Sequence, residues 1–450
     1  MSGPGEARAA ADTRRDGAVR RRLGRVALVT AVVAAALGWA GCGLVGWVGG
    51  DFRASPDRYD QSLSPAARGL VREAVAGLDP ARTLDHHTHV AGLGTDDSGA
   101  TVHPEMRSWL SPIRRLKFAV YLSAAGVDDL DHADRAYLAR LAALVRNTPR
   151  HGRHALLAFD QAHDDAGAPD PDHSTFHVPN AWVFAAAKAM PDIFVPVMSI
   201  HPYRADALAE LERWAGAGGR MVKWLPNAMR IDPLDPRCVP YYDKMRALGL
   251  VLLSHAGEEK AVDGEDAQEL GNPLRLRAAL RRGVRVIVAH CASRGTSLDL
   301  DDAARPLVSS FQLFLRLMAE PQWQGLLYGE LSATVLRQRA EEVLPVLLAR
   351  TDLHERLVNG SDYPLPAINF LIQPSQMADL GLLDEADIEP LVELYGVNPL
   401  LFDLALKRRL HARGTRRGWP ASVFEDRLGL LGPAPVALPA AATSAGAPGR

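Results

Sequence analysis

In "TLDHHTHV", residues 83–90, three histidines and an aspartate crowd a segment whose flanks read as a β-strand. Successive side chains on a strand point to opposite faces, so Asp85, His87 and His89 are expected on one face and His86 and Thr88 on the other. His87 and His89 would then lie about 7 Å apart at Cα, close enough for two imidazoles to converge on one metal ion. His86 is expected to pack outward. With 15 histidines in 450 residues, about 0.5 His-x-His triplets arise by chance, so the pattern gains weight only from the rest of the chain. There, "LVLLSH" ends in His255, "VRVIVAH" in His290 and "RLVNGSD" in Asp362, each polar residue closing an apolar run. Singly, each is an ordinary strand cap or turn. Jointly they mark a site, because a fold that buried so many polar groups without partners would be heavily destabilised. Lys223, midway along "MVKWLP", has three readings: a carbamylated bridge between two metals, a clamp for a substrate carboxylate, or a lysine paired with an acid. Other polar residues carry less. His201 beside Pro202 and the loop histidines His163, His173 and His177 read as structural or solvated, Glu258 and Glu259 as a solvated charge pair, and Cys291 as a small buried hydrophobe.

These residues need a scaffold that brings distant strand ends together. Eight strand candidates start at 83, 155, 194, 221, 250, 284, 325 and 356, and segments with apolar residues at helical spacing separate them. In 131–147, Tyr137, Leu138, Leu141, Leu144 and Val145 share one face, and 205–218 is a second helix. A third, 272–283, has Asn272 as N-cap, Pro273 at its first position and Gly283 closing it. Such alternation implies an all-parallel sheet covered by helices, either open and doubly wound or closed as a (β/α)8 barrel. Thr83 to about Leu410 is a little longer than the ~250 residues typical of the barrel, which favours closure with loop insertions, the largest over 91–154 and able to form part of a lid. The strand-end residues would then share the C-terminal rim, where such barrels carry their active sites.

A formal charge of -2 provides no basic field for nucleic acid, and three cysteines exclude both a disulfide framework and a cysteine-built zinc module. The N-terminus is more telling. Arg14, Arg15, Arg20, Arg21, Arg22 and Arg25 precede an uncharged apolar run over 26–48, long enough to span a bilayer. Arginines on that side keep the N-terminus cytoplasmic and send the remainder across. Three outcomes stay open: an uncleaved anchor holding the following domain outside the cytoplasm, a cleaved signal peptide of a secreted protein, and a lipoprotein modified at Cys42. The expected organisation is a basic tail over 1–25, the transmembrane or signal segment over 26–48, a linker over 49–78, the barrel over 79–410, and an extension over 411–450, disordered from about 432.

"LDHHTH", "VKWLPNAMRIDP", "SHAGEE", "AHCAS" and "GSDYP", in this order, resemble the amidohydrolase superfamily and, within it, the amidohydrolase-2 group of metal-dependent hydrolases and decarboxylases. The resemblance covers roughly 80–405. It implies a distorted (β/α)8 barrel in which His87, His89, His255 and Asp362 bind a divalent metal. It also implies that His290 is either a ligand of a second metal or an acid/base beside the site, and "VKWLP" is compatible with one ion or two. Imidazoles with one carboxylate suit zinc before manganese or iron. Asp362 is then expected to accept a proton from the attacking water and His290 to assist at the oxyanion or orient the substrate. The resulting expectation is hydrolysis of an amide, lactone or ester of a small molecule. A decarboxylase of the same fold and a membrane-tethered binding module without chemistry are the alternatives.

Overall fold

The computed structural model describes residues 55–262 and 264–432, together with 45 and 48–50. Apart from 45 and 48, the apolar segment over 26–48, with Cys42, lies outside the described residues, as do the basic tail and the extension beyond 432. Among the described residues no helix is long and apolar enough to cross a membrane.

The fold is α/β with parallel sheets. All eight expected strands form: β1 (Leu84–His89), β2 (Arg153–Leu157), β3 (Phe194–Val197), β4 (Met221–Trp224), β5 (Val251–Ser254), β6 (Arg285–Val288), β7 (Leu327–Glu330) and β8 (Leu357–Val358). Strands β1-β2-β3 make one parallel sheet and β8-β7-β6-β5-β4 another. Parallel bridges at Met198↔Val222 and Thr88↔Tyr363 join their edges, so the eight strands run in a closed ring. The seam between β8 and β1 is made by His86 N–H to Asn359 O (3.0 Å), Asp362 N–H to His87 O (2.7 Å) and His89 N–H to Tyr363 O (3.1 Å). It ties the two strand ends richest in site residues directly to each other.

Why these runs are strands follows from burial on both faces. Val251 and Leu253 point into the ring with Ile287 and Met221, while Leu252, Val286 and Val288 pack outward against the helices. Runs buried on both sides read as continuous apolar sequence, as parallel strands do, and each fully buried Val, Leu or Ile contributes about 1.5–3 kcal/mol. Helices follow the strands around the ring: α2 (Pro112–Ala124) and α3 (Ala133–Arg146) after β1, α4 (Asn180–Ala189) after β2, α5 (Ala207–Gly216) after β3 and α6 (Cys238–Ala247) after β4. The expected helix over 272–283 forms as a 3-10 turn, Pro273–Leu276, running into α7 (Arg277–Arg281). Asn272 caps it by accepting the Leu274 N–H (3.0 Å), and Gly283 closes it at φ +77°.

One stretch differs from expectation. The segment expected as a linker over 49–78 contains α1 (Pro65–Ala74), capped by Ser64 and burying Ala67, Leu70, Val71 and Ala74. Over 411–432 the extension packs on the fold: Leu428 and Leu430 join the apolar layer inside the ring with Leu84 and Val358. A ring of strands leaves that layer open at its N-terminal end, and the extension plugs it. The insertions after β1 and β2 are pinned together by an antiparallel pair, Thr101↔His177 and Val102↔Phe176.

Candidate metal centre

At the C-terminal rim three side chains from opposite ends of the sequence meet. His87 Nε2 lies 3.1 Å from His89 Nε2, and Asp362 Oδ1 lies 3.4 Å from the first and 3.2 Å from the second. Lys223 Nζ, from β4, stands 3.0 Å from His87 Nε2. Strict alternation along β1 does not account for this. Between Asp85 and Thr88 the pairing with β2 shifts by a bulge, which re-aims the strand end as bulges do. Asp85, expected on the face of His87, is therefore not in the cluster. Its Oδ1 accepts the N–H of His87 (2.9 Å) and of Ser361 (3.0 Å), and its Oδ2 lies 3.4 Å from His154 Nδ1. His86 is a packing residue, fully buried with Nδ1 on Asn359 O at 2.9 Å.

Do these atoms fit a metal? His87 Nδ1 faces Glu330 Oε2 at 3.0 Å. An imidazole donating there turns the lone pair of Nε2 toward His89 and Asp362. Three such atoms within 3.1–3.4 Å of one another need a proton or a cation between them; here His89 donates to Asp362, and a bound cation would take the place of that hydrogen. Ligands about 2.0–2.2 Å from a tetrahedral ion are about 3.3–3.6 Å apart along each edge, so the observed edges suit one ion. The set His87, His89 and Asp362 is one of two such groups among the described residues, the other being His87, His290 and Glu330.

His255 and His290 stand beside the triad. His255 is buried with both ring nitrogens lacking a hydrogen-bond partner, an orphaned pair that a ligand would satisfy. Its ring centroid is 5.3 Å from that of His290, which in turn is stacked 5.0 Å from His87. His290 Nε2 is 3.7 Å from Asp362 Oδ2. Its Nδ1 meets Ser332 O at 3.1 Å and Ser332 Oγ at 2.8 Å. A carbonyl only accepts, so Nδ1 carries the hydrogen and Nε2 presents a lone pair. Backbone strain accompanies this placement. His290, Cys291 and Ala292 all have φ between 51° and 55°, and Asp362 has φ 58°, a left-handed region that side chains with a Cβ adopt at a cost.

Burial sets the protonation states. It holds the His87 and His290 imidazoles well below the ordinary histidine range and pushes His255 down to about 4 against the pull of Glu259. It likewise lowers Lys223 to about 8, opposed by Asp362. For Asp362 burial works upward, but His87, the hydrogen bond from His89 and Lys223 outweigh it and keep the carboxyl well below its usual range. His87, His255 and His290 are thus neutral beside an ionised Asp362, the state in which such groups ligate a cation. Lys223 contacts His87 Nε2, and Asp362, Glu330 and Glu259 are the acids whose charge acts on it.

Sequence reasoning missed Glu330 and Ser332 and misread Glu259. Glu330, at the end of β7, is fully buried. It accepts from His87 Nδ1, from Ser332 Oγ (2.6 Å), from the Ser332 N–H and from the His290 N–H (3.3 Å). Burial raises its carboxyl to about 7, held back by the Ser332 hydrogen bonds. The signal was available: "LLYGEL" ends a strand in an acid as "RLVNGSD" does. Glu259 is buried rather than solvated, with Oε2 at 3.5 Å from His255 Nδ1 and Oε1 accepting from the Ala261 and Val262 N–H groups. His201 is structural. Its Nε2–H donates to Met229 O (2.7 Å) and its Nδ1 accepts from the Tyr203 N–H (3.2 Å). His163 stacks on it at 4.6 Å, while His173 pairs with Asp170 (2.6 Å). Cys291 is buried with Sγ on Glu330 O.

Above the triad opens a cavity of about 140 Å³, close to the room one aromatic ring fills. His87, His89, His255, His290, Lys223 and Asp362 line it together with Glu259, and its walls are apolar, among them Leu93, Phe118, Leu122, Phe159 and Val262. Tyr121 and Tyr137 complete the wall with their hydroxyls turned to Ala261 O and His89 O.

Residues 84–389 match a protein-family model described as amidohydrolase. Among solved structures, an uncharacterised TIM-barrel protein from Bordetella bronchiseptica aligns at 17% identity over 72% of this chain and 99% of its own, with a TM-score of 0.45. A candidate 2-pyrone-4,6-dicarboxylic acid hydrolase from Pseudomonas putida aligns at 18% identity over 72% and 98%, with a TM-score of 0.39. For 5-carboxyvanillate decarboxylase from Sphingomonas paucimobilis the identity is 12%, the coverage 72% and 96%, and the TM-score 0.39. No curated protein matches the chain.

Proposed function

The chain belongs to the amidohydrolase family, and from that premise we propose that it is a metal-dependent hydrolase, built on a distorted (β/α)8 barrel, that cleaves an amide, lactone or ester of a small molecule with an apolar body. The observation that carries the reading is the convergence of His87 Nε2, His89 Nε2 and Asp362 Oδ1 within 3.1–3.4 Å at the floor of an apolar cavity. His87, His89 and Asp362 would hold the ion, zinc first by the chemistry of the donor set, with His255 completing the shell. Bound there, a divalent cation supplies a Lewis acid and brings the pKa of water from about 15.7 to about 7.

The chain's own groups do the rest. Asp362, ionised and beside the centre, accepts a proton at its carboxylate and returns it to the leaving group. His290, with Nδ1–H held by Ser332, offers Nε2 as an acceptor or as a ligand for a second ion rather than as a hydrogen-bond donor. Among the described residues Lys223 is the one lysine or arginine lining the cavity, suited to a carbamylated bridge, to a substrate carboxylate or to pairing with an acid. The cavity's apolar wall excludes water and receives the non-reacting part of the substrate. The apolar run over 26–48 is proposed to anchor the protein, with this domain outside the cytoplasm.

Elemental analysis of the full chain is expected to find about one equivalent of metal, lost in His87→Ala and in Asp362→Ala. Turnover of an ester and lactone panel in isotopically labelled water should place one labelled oxygen in the acid product. Carbon dioxide released from an aromatic carboxylate, without label incorporation, would identify a lyase instead and overturn the hydrolase reading.

A further inference from the structure

Helix α2 forms a wall of the cavity with Phe118, Tyr121 and Leu122. Its other side is unusual. Among the described residues the three most exposed large apolar side chains all fall at its start: Trp109 (80%), Leu110 (94%) and Ile113 (82%), with Leu116 half exposed behind them. Isolated apolar side chains on a surface are ordinary, whereas a contiguous group marks a contact. Basic residues accompany the group. Between 105 and 117, Arg107, Arg114, Arg115 and Lys117 stand against a single acid, Glu105; Arg114 pairs with Glu105 and Lys117 donates to Lys260 O, which leaves Arg107, exposed, and Arg115, whose guanidinium lies 3.7 Å over the Trp109 ring, at the patch.

The point where the preceding chain meets the fold supplies a second, independent observation. Val48, the last residue of the apolar run, accepts the Asn369 N–H at its carbonyl (2.8 Å). Gly49 packs so closely on α2 that a Cβ there would lie 2.6 Å from Ser123 Cβ and 2.7 Å from Val120 O. Ile113, Leu116, Val120 and Ser123 follow helical spacing, so the exposed stripe leads along one side of the helix to that contact. From Ile113 to Val120 the distance along the axis is about 10 Å.

We propose that the surface carrying Trp109, Leu110, Ile113 and Leu116 seats in the interfacial region of an anionic lipid bilayer. This rests on the anchor reading above for its orientation: a segment leaving the membrane at residue 48 delivers α2 to the bilayer surface with this side toward it. The composition fits the occupant. A tryptophan and aliphatic side chains enter the headgroup boundary while Arg107, exposed, and Arg115, beside Trp109, meet lipid phosphates. The helix then works on both sides, lipid outside and the apolar cavity inside, which suits a substrate that partitions into membranes.

The test uses the full chain in vesicles with and without an anionic lipid, carrying a nitroxide at Leu110→Cys in a Cys42→Ser background. Cys238 and Cys291 are buried and stay unlabelled. A label at Leu208→Cys, on α5, is the control. In anionic vesicles the label at 110 should lose several-fold of its relaxation by a water-soluble nickel chelate and gain relaxation by oxygen, relative to 208. Adding Trp109→Ser and Ile113→Ser should return it to the control value. Equal nickel access at 110 and 208 overturns the proposal, and so does spin–spin broadening at 110, which would show a second copy on this surface. An alkaline wash reports the anchor by itself: a chain that washes off refutes the anchor, while the depth at 110 decides the patch in either case.

Discussion

Glu330→Gln separates a residue that orients the centre from one that merely fills space. Glu330 receives four donors: His87 Nδ1–H, Ser332 Oγ–H, the Ser332 N–H and the His290 N–H. Glutamine keeps the shape but has one acceptor oxygen and two hydrogens of its own. Whichever way its amide turns, at least one buried donor meets an N–H. A hydrogen bond to a charged group is worth about 1.5–3 kcal/mol, and an orphaned buried donor costs a similar amount, so the unfolding free energy should fall by about 2–3 kcal/mol. The fold should survive. With its Nδ1 partner weakened, His87 no longer fixes Nε2 toward His89 and Asp362, and partners of this kind change metal affinity by about 10–100-fold. Zinc affinity is read by competition against a chromophoric chelator, and stability by urea unfolding of the metal-free protein. A variant that is destabilised yet binds zinc with parental affinity would refute the orienting role. One that loses zinc binding without losing stability would refute the hydrogen-bond count.

Two other outcomes follow from buried titratable groups away from the triad. Burial pushes His201 down to about 3, against the hydrogen bond to Met229 O, which by itself favours the charged ring. A histidine with a lowered folded pKa binds fewer protons than the unfolded chain, so its contribution is complete above pH ~6.5 and is lost as pH falls, by about 2 kcal/mol between pH 7.5 and pH 5. His201→Gln should flatten that part of the urea-midpoint profile, and an unchanged slope would contradict it. Lys407, buried, donates to Gly360 O (2.6 Å) and Asp403 Oδ2 (2.7 Å) beneath the seam. Asp403→Asn should therefore cost about 3–5 kcal/mol by leaving that charge unpaired, while the double replacement Asp403→Leu with Lys407→Met recovers much of it. A double variant no more stable than Asp403→Asn would show that packing, not charge, is at stake.

The order of strands and helices and most of the rim residues can be read from the amino-acid sequence. Strands buried on both faces leave apolar runs that need no partner to be recognised, and a histidine or aspartate closing such a run stands out against them. His87, His89, His290 and Asp362 were legible for that reason. Glu330 obeys the same rule in "LLYGEL" and was overlooked there, whereas Glu259 and Asp85 were misassigned because nothing local distinguishes them. Glu259 is buried by a cavity wall assembled from distant segments, and Asp85 leaves the face of His87 through a bulge that exists only in the pairing of β1 with β2. The left-handed backbone at 290–292 and the plug formed by Leu428 and Leu430 are likewise matters of tertiary structure. Only ring closure, which bonds the end of β8 to β1, sets Asp362 beside two imidazoles lying more than 270 residues earlier in the chain. Periodicity reports which side of a strand is buried, and a closed ring decides what is buried against it.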